Sequence, residues 1–239
     1  MPRRPTTVSP APARPVRAPG TVPTMSDAPR LVELVIGDEP AAWAQAGFAV
    51  ADDGTTRVGG VRIRLVGPEQ GRGVRLWGLT GVDDGSIDGL ATAGVTAPTP
   101  PAPSTEHPNT AIEIDHVVVT SPDLARTIGA LAHVGLEPRR SRDVGTPERP
   151  MRQVFFRLGD PAPILELVGP REPAGDGPAE LWGITVTVAD LDLAATRLGE
   201  HLGTPKPAVQ PGRRIATVRH APLGASVAIA LMTPHPRGS

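Results

Sequence analysis

Residues 114–124 read Ile114-Asp115-His116-Val117-Val118-Val119-Thr120-Ser121-Pro122-Asp123-Leu124. The run from Ile114 to Val119 predicts a buried strand, because side chains branched at Cβ suit a pleated surface and resist a helix. Ser121 followed by Pro122 predicts a helix start, with Ser at the N-cap and Pro at the first helical position. Leu124, Ile128 and Leu131 recur at helical spacing, and Gly135 ends the helix. Strands at residues 153–158 and 164–168 follow, separated by the turn Gly159-Asp160-Pro161.

The same order comes again downstream. Residues 181–188 read as a strand, Asp190 as an N-cap, and Leu191, Ala195 and Leu198 as a helical stripe. Residues 215–219 and 227–232 close this second unit as strands across Pro222-Leu223-Gly224. Strand, helix and strands thus occur twice, which predicts an internal repeat. The N-terminal half echoes it: Leu65-Val66-Gly67-Pro68 matches Leu167-Val168-Gly169-Pro170, and Leu76-Trp77-Gly78-Leu79-Thr80 matches Leu181-Trp182-Gly183-Ile184-Thr185 at all but the fourth position. A strand at 31–36 and a short helix at 40–46 precede that copy, which runs out after Thr80 and reads as truncated.

Proline and glycine, 30 and 27 of 239 residues, cluster at the ends and in the middle. Residues 1–30 are expected to be a disordered tail, with Met25 a candidate start, and 234–239 a second tail. Pro98, Pro100, Pro101, Pro103 and Pro108 predict a stiff linker over 91–113. The net charge of -1 and the six aromatic residues argue against a nucleic-acid partner. Zero cysteines exclude disulfides, thiolate metal sites and cysteine nucleophiles. No apolar stretch approaches a membrane span, and no apolar run follows Pro2-Arg3-Arg4, so a cytoplasmic location is expected.

The Ile114–Val119 strand with its Pro-Asp-Leu helix start resembles the opening of the vicinal oxygen chelate superfamily (glyoxalase, bleomycin-resistance and dioxygenase relatives). Ile164-Leu165-Glu166-Leu167-Val168-Gly169 resembles the strand that closes that superfamily's module, and Val188-Ala189-Asp190-Leu191 a second helix start. The resemblance covers 114–232 well and 31–90 weakly. It implies an α+β fold of repeated βαβββ modules forming a cupped mixed sheet. Residues 114–233 would be a glyoxalase-like domain of two paired modules, and 31–90 a degenerate copy. In metal-dependent members a His on a module's first strand and a Glu on its last hold a metal that chelates two substrate oxygens. His116 and Glu166 match those positions, with Glu166 the catalytic carboxylate; Gly183 and Ala230 match them in the second module, Glu33 and Arg64 in the N-terminal copy. The implied ligand is a small molecule and the implied cofactor one divalent metal (Zn, Mn, Fe or Ni) or none; a homodimer is compatible with either.

Read without the resemblance, His116 on an apolar strand is more often packed in a core than a ligand. Glu166, flanked by Ile164, Leu165, Leu167 and Val168, needs a partner if its face is buried: a metal, His116, or an arginine such as Arg157. His220 is a third nitrogen near a strand end, or a solvated hairpin histidine. Arg213 and Arg214, following Pro211-Gly212, are candidates to grip a substrate carboxylate or phosphate, against a solvated pair at a turn. Trp77 and Trp182 are expected to pack in the core or between domains. Two functions follow: a metal-dependent lyase, isomerase or dioxygenase using His116 and Glu166, or a metal-free small-molecule binder of the antibiotic-sequestering type.

Overall fold

A computed structural model describes residues 28–96, 106–159 and 163–236. The expected tail 1–30 falls almost wholly outside these residues, as does the middle of the expected linker. The chain builds two sheets. The C-terminal sheet has eight strands and two helices in the order β7 (Ala111–Thr120), α2 (Leu124–His133), β8 (Arg140–Thr146), β9 (Arg149–Arg157), β10 (Ile164–Pro170), β11 (Glu180–Val188), α3 (Leu191–Leu198), β12 (Lys206–Pro207), β13 (Arg214–Thr217) and β14 (Ala228–Met232). Their spatial order is β12-β13-β14-β11-β7-β10-β9-β8. Each half of it is one βαβββ module whose first strand pairs in parallel with its last, β7 with β10 and β11 with β14. The first strands of the two modules meet antiparallel at the centre. The α+β fold of repeated modules is the architecture observed.

Side-chain alternation divides the sheet into two faces. Val117, Val119, Leu165, Leu167, Ile184 and Leu231 lie opposite one another across the ladders and are buried under α2 and α3. The helix starts follow from capping chemistry. Asp190 accepts a hydrogen bond from the Leu193 N–H at 2.9 Å, as expected. At α2 the cap is Asp123, which accepts from the Arg126 N–H at 3.0 Å, and not Ser121. The Ser121 hydroxyl instead accepts from the Asp123 N–H, forming the turn that leads into the cap. Gly169 is dictated by contact: a Cβ there would sit 2.3 Å from the Ser121 carbonyl oxygen. Its sequence counterpart Gly67 is glycine for another reason, a φ of 78°.

The N-terminal sheet has six strands and one helix: β1 (Arg30–Ile36), α1 (Pro40–Gln45), β2 (Thr55–Val58), β3 (Val61–Leu65), β4 (Val74–Thr80), β5 (Gly85–Ile87) and β6 (Leu90–Val95). Their order is β2-β3-β1-β4-β6-β5. The expected truncation is corrected here. The copy continues past Thr80, because β4 pairs in parallel with β6 as β11 does with β14, and β1 meets β4 antiparallel as β7 meets β11. What the second N-terminal unit lacks is its helix, replaced by the turn at 81–84, while each N-terminal unit has one strand fewer than a full module. The expected linker is also narrower than 91–113, since β6 and β7 both run into it.

The two sheets share one apolar core that includes Trp43, Trp77, Val119 and Leu167. Polar contacts lock them together. Asp38, fully buried, accepts from Trp43 Nε1 at 3.0 Å and from the backbone N–H and the hydroxyl of Ser226 at 2.9 and 2.5 Å. Asp88 accepts from Arg126 and Thr127 of α2, and the Asn109 side chain donates to the Ala46 carbonyl at 2.9 Å. Among the described residues no helix is long and apolar enough to cross a membrane. Asp38→Ala would strand the buried Trp43 Nε1 donor and remove three charge-assisted bonds, so urea denaturation should show a loss of roughly 3 kcal/mol or more. Both sheets should still melt in one transition; two separated transitions would mean that they fold independently.

Candidate functional site

The open face of the eight-stranded sheet is set by register. His116 lies opposite Ile164 on β10 and Thr185 on β11, while Val118 lies opposite Glu166 and Gly183. Outward from β10, Glu166 faces Phe155 and Val168 faces Gln153; on β8, Arg140 and Arg142 face those same two residues. On the other side Ala228 and Ala230 pair with Gly183 and Thr185. His116 and Glu166, singled out in the sequence, are therefore on one face, as diagonal neighbours on adjacent parallel strands.

Their partners differ from any the sequence suggested. The pairing of β7 with β11 slips by one residue between His116 and Ile114, and Asp115 is the extra residue. At such a bulge two consecutive side chains turn toward one side. Nδ1 of His116 lies 2.6 Å from Asp115 Oδ1, and both residues are buried. Asp115 Oδ2 accepts from the Thr187 hydroxyl at 2.8 Å and from the Arg213 guanidinium. Burial works to raise the Asp115 carboxyl, but hydrogen bonds from His116 and Arg213, with the charge of the guanidinium, outweigh it and hold it well below the ordinary carboxylate range. Donation from Nδ1 leaves the lone pair of a neutral ring on Nε2.

Glu166, half-buried, accepts from the Gln153 amide, whose oxygen accepts from Arg142 Nε at 2.5 Å. Arg140 stacks over the Phe155 ring with 4.4 Å from its guanidinium carbon to the centroid, and Arg142 lies at 5.5 Å. The outer wall of the first module is thus cationic and aromatic, whereas the second module offers Gly183, Thr185, Ala228 and Ala230.

The remaining candidates lie elsewhere. The Arg213 side chain is only 1% exposed and all three of its nitrogens are engaged: Nε with the Thr233 carbonyl at 2.7 Å, one terminal nitrogen with His235 at 3.1 Å, the other with Asp115 and Thr187. Arg214 is exposed, with both terminal nitrogens on the Asp192 carboxylate at 2.8 and 2.9 Å. The structure does not bring this pair to the open face beside Glu166. His220 stands at the start of the short turn 221–223, with Nδ1 3.4 Å from the Val218 carbonyl oxygen. Trp77 is fully buried, as expected, but Trp182 is 58% exposed, which corrects the expectation that both pack in the core or between domains. Trp182 is itself the extra residue of a second register slip, between Leu181 and Gly183, so the sheet does not hold it as it holds Trp77. Arg140, Arg142 and Gln153 were not singled out because polar residues on an edge hairpin look like solvated surface; the alternating pattern of β9 was the available signal.

A resident metal was tested on the donor set. Gly183 and Ala230 hold the second module's ligand positions, and a Cβ on Gly183 would lie 2.7 Å from the Ala228 carbonyl oxygen, so a ligating side chain has no room there. No group of three metal-binding side chains occurs among the described residues. Two protein ligands fall short of the three that a catalytic metal keeps, and the residues present do not fit one.

Removing one partner of the buried Asp115–Arg213 pair leaves the other charge uncompensated, so Arg213→Ala should lose roughly 3–5 kcal/mol in urea melts. The depressed Asp115 carboxyl contributes stability that is fully present above about pH 4 and is lost as pH falls below that. Asp115→Asn should therefore be less stable at neutral pH and show a shallower acid limb than the parent chain. Equal slopes below pH 4 would remove Asp115 as the source.

Among solved structures the chain is similar to methylmalonyl-CoA epimerase from Mycobacterium tuberculosis, with 20% identity over 53% of this chain and 91% of that one, at a TM-score of 0.40. It is also similar to a mutant of 4-hydroxymandelate synthase from Streptomyces coelicolor, at 15% identity over 88% of this chain and 72% of that one, with a TM-score of 0.42. A xylose isomerase-like TIM barrel/4-hydroxyphenylpyruvate dioxygenase fusion protein matches 89% of this chain and 49% of its own length, at 13% identity and a TM-score of 0.58, a likeness of fold. No curated protein matches the chain. Residues 115–217, from β7 to β13, match the family model described as Glyoxalase/Bleomycin resistance protein/Dioxygenase superfamily.

Proposed function

We propose that the open face of the eight-stranded sheet binds a small organic molecule through protein groups alone, with no resident metal. The observation that carries this reading is the closed second module: Gly183 and Ala230 supply no donor where a chelating site needs one, and the Ala228 carbonyl leaves no space for a longer side chain. What remains is a cup with an apolar, small-residue side and a polar side, the arrangement of small-molecule sites. The exposed Arg140 and Arg142, braced on the buried Phe155 ring, suit a flat or acidic ligand group, by stacking on the guanidinium and charge-assisted hydrogen bonding. Glu166 and Gln153 fix its orientation, and Nε2 of His116 is an acceptor aligned by Asp115.

A second reading keeps one supporting observation. A histidine whose Nδ1 is held by a carboxylate is also the arrangement that orients a metal-ligating ring through Nε2. On that reading His116 and Glu166 would be joined by substrate and water in a lyase, isomerase or dioxygenase. Calorimetric titration of dialysed protein with Mn, Zn or Ni distinguishes the two. The expected result is no stoichiometric site, while ligands found by thermal-shift screening bind wild type and bind Arg140→Ala at least about tenfold more weakly, the cost of one charge-assisted contact. A stoichiometric metal abolished by both His116→Ala and Glu166→Ala, with the fold kept, would replace the metal-free binder by the metal-dependent enzyme.

A further inference from the structure

The N-terminal sheet has an open face of its own, and its chemistry differs. Register places Glu33 opposite Arg62 and Gly78, Val35 opposite Arg64, and Arg57 opposite Arg62. The alternate residues Leu34, Ile36, Ile63 and Leu65 are buried on the other face, so Glu33, Arg57, Arg62 and Arg64 share the open one. Glu33 and Arg64 stand where His116 and Glu166 stand in the C-terminal module: Arg64 lies two residues beyond Glu33's ladder partner, as Glu166 lies two beyond that of His116. In this module a guanidinium occupies the place of a metal ligand.

Charge on this face does not balance. Arg62 and Arg64 both use the same oxygen, Oε1 of Glu33, at 2.7 and 2.9 Å. Asp53, at the rim and bonded to Thr55, is a further carboxylate near Arg62. Arg57 makes no side-chain hydrogen bond or ion pair among the described residues, although it sits directly across the ladder from Arg62, where like charges are destabilising. Arg62 Nε is buried with no hydrogen-bond partner, the sole such side-chain atom among the described residues. A buried donor left unmade is costly and calls for an acceptor. The Arg62 and Arg64 side chains are still 39% and 43% exposed, so an anion can approach their guanidiniums at the terminal nitrogens, though not at the buried Nε of Arg62.

We propose that the open face of the N-terminal sheet is an anion site, in which Arg57, Arg62 and Arg64 take a small oxyanion, a phosphate or a carboxylate, with Glu33 as the fixed counter-charge that spaces the guanidiniums. Guanidinium forks match both oxyanions by paired N–H donors. The site is separate from the cup that contains His116 and Glu166 and stands or falls independently of it.

The test is calorimetry on the full chain at low ionic strength with inorganic phosphate and, separately, succinate as probes. One molecule of probe is expected per chain. Arg57→Gln and Arg62→Gln are each expected to weaken it at least about tenfold, the cost of one charge-assisted hydrogen bond. Arg142→Gln, on the other open face, is expected to leave it unchanged. Because Arg57 carries no ion pair, its variant keeps the fold, which circular dichroism checks. Tighter binding of phosphate assigns a phosphorylated ligand and tighter binding of succinate a carboxylate. Binding of neither probe overturns the site. So does binding that Arg142→Gln weakens while Arg57→Gln and Arg62→Gln do not, a result that would move the anion to the C-terminal cup and leave the proposed function there intact.

Discussion

The Asp115 carboxylate sits where the two C-terminal modules meet, and it satisfies donors from three places at once. One oxygen takes His116 on its own strand; the other takes Thr187 on β11 and Arg213 at the turn into β13. Arg213 in turn holds the Thr233 carbonyl and His235, so the segment after β14 is tied to the same charge. A buried ion pair contributes little over a well-packed apolar replacement, yet it penalises any arrangement that separates the partners. The bulge at Asp115 is what makes this geometry available. An unbulged β7 would alternate Asp115 and His116 to opposite faces and leave the imidazole of the cup without its anchor.

How much of this was legible follows from what a side chain alone can encode. Asp190 reads as a cap, since a short carboxylate before a helical stripe satisfies a backbone donor with no help from elsewhere. The central strands read as strands because burial on the helix-covered face demands apolar residues there. β8 did not: Arg140-Ser141-Arg142-Asp143 lies exposed along the sheet edge, where burial imposes no pattern. Arg213 reads as a grip for a substrate anion or as a solvated turn arginine, and neither holds, because its partner lies 98 positions away and only the slip in the β7 ladder brings them together. Likewise Trp77 and Trp182 occupy matching strings, yet Trp77 is buried and bonds Thr92 while Trp182 sits out at a slip. Identical letters do not fix identical environments when the ladder shifts between them.

Within the site, the sequence pointed to His116 and Glu166 and the structure places them on one face. It could not reveal that Asp115, next in sequence to His116, is that histidine's partner, since alternation would send neighbours to opposite sides. Nor could it reveal that the cationic wall comes from Arg140 and Arg142. Their shared contact with Phe155 depends on the pairing of β8 with β9, which only the folded hairpin supplies.

The four modules give the same two positions, one on the first strand and one on the last, four chemistries. They carry His116 with Glu166, Gly183 with Ala230, Glu33 with Arg64, and Gly78 with Val95. Both glycines stand on the second strand of a central antiparallel pair, and both are hemmed in: a Cβ at Gly78 would meet Glu33 Cβ at 3.0 Å, and one at Gly183 the Ala228 carbonyl oxygen at 2.7 Å. A close neighbour therefore removes the donor from one module of each pair, across the seam at Gly78 and within the module at Gly183. Each cup keeps functional groups on one side only, so neither can close a chelate from both walls. In the N-terminal cup the surviving pair is an internal salt bridge, Glu33 with Arg64, which needs no cation. In the C-terminal cup the surviving pair is split, with His116 held by Asp115 and Glu166 by Gln153. A ligand that spans such a cup meets directional polar groups on the first module's wall and smooth apolar surface on the second. For the small-molecule site proposed above, that asymmetry favours a ligand with one polar and one apolar end.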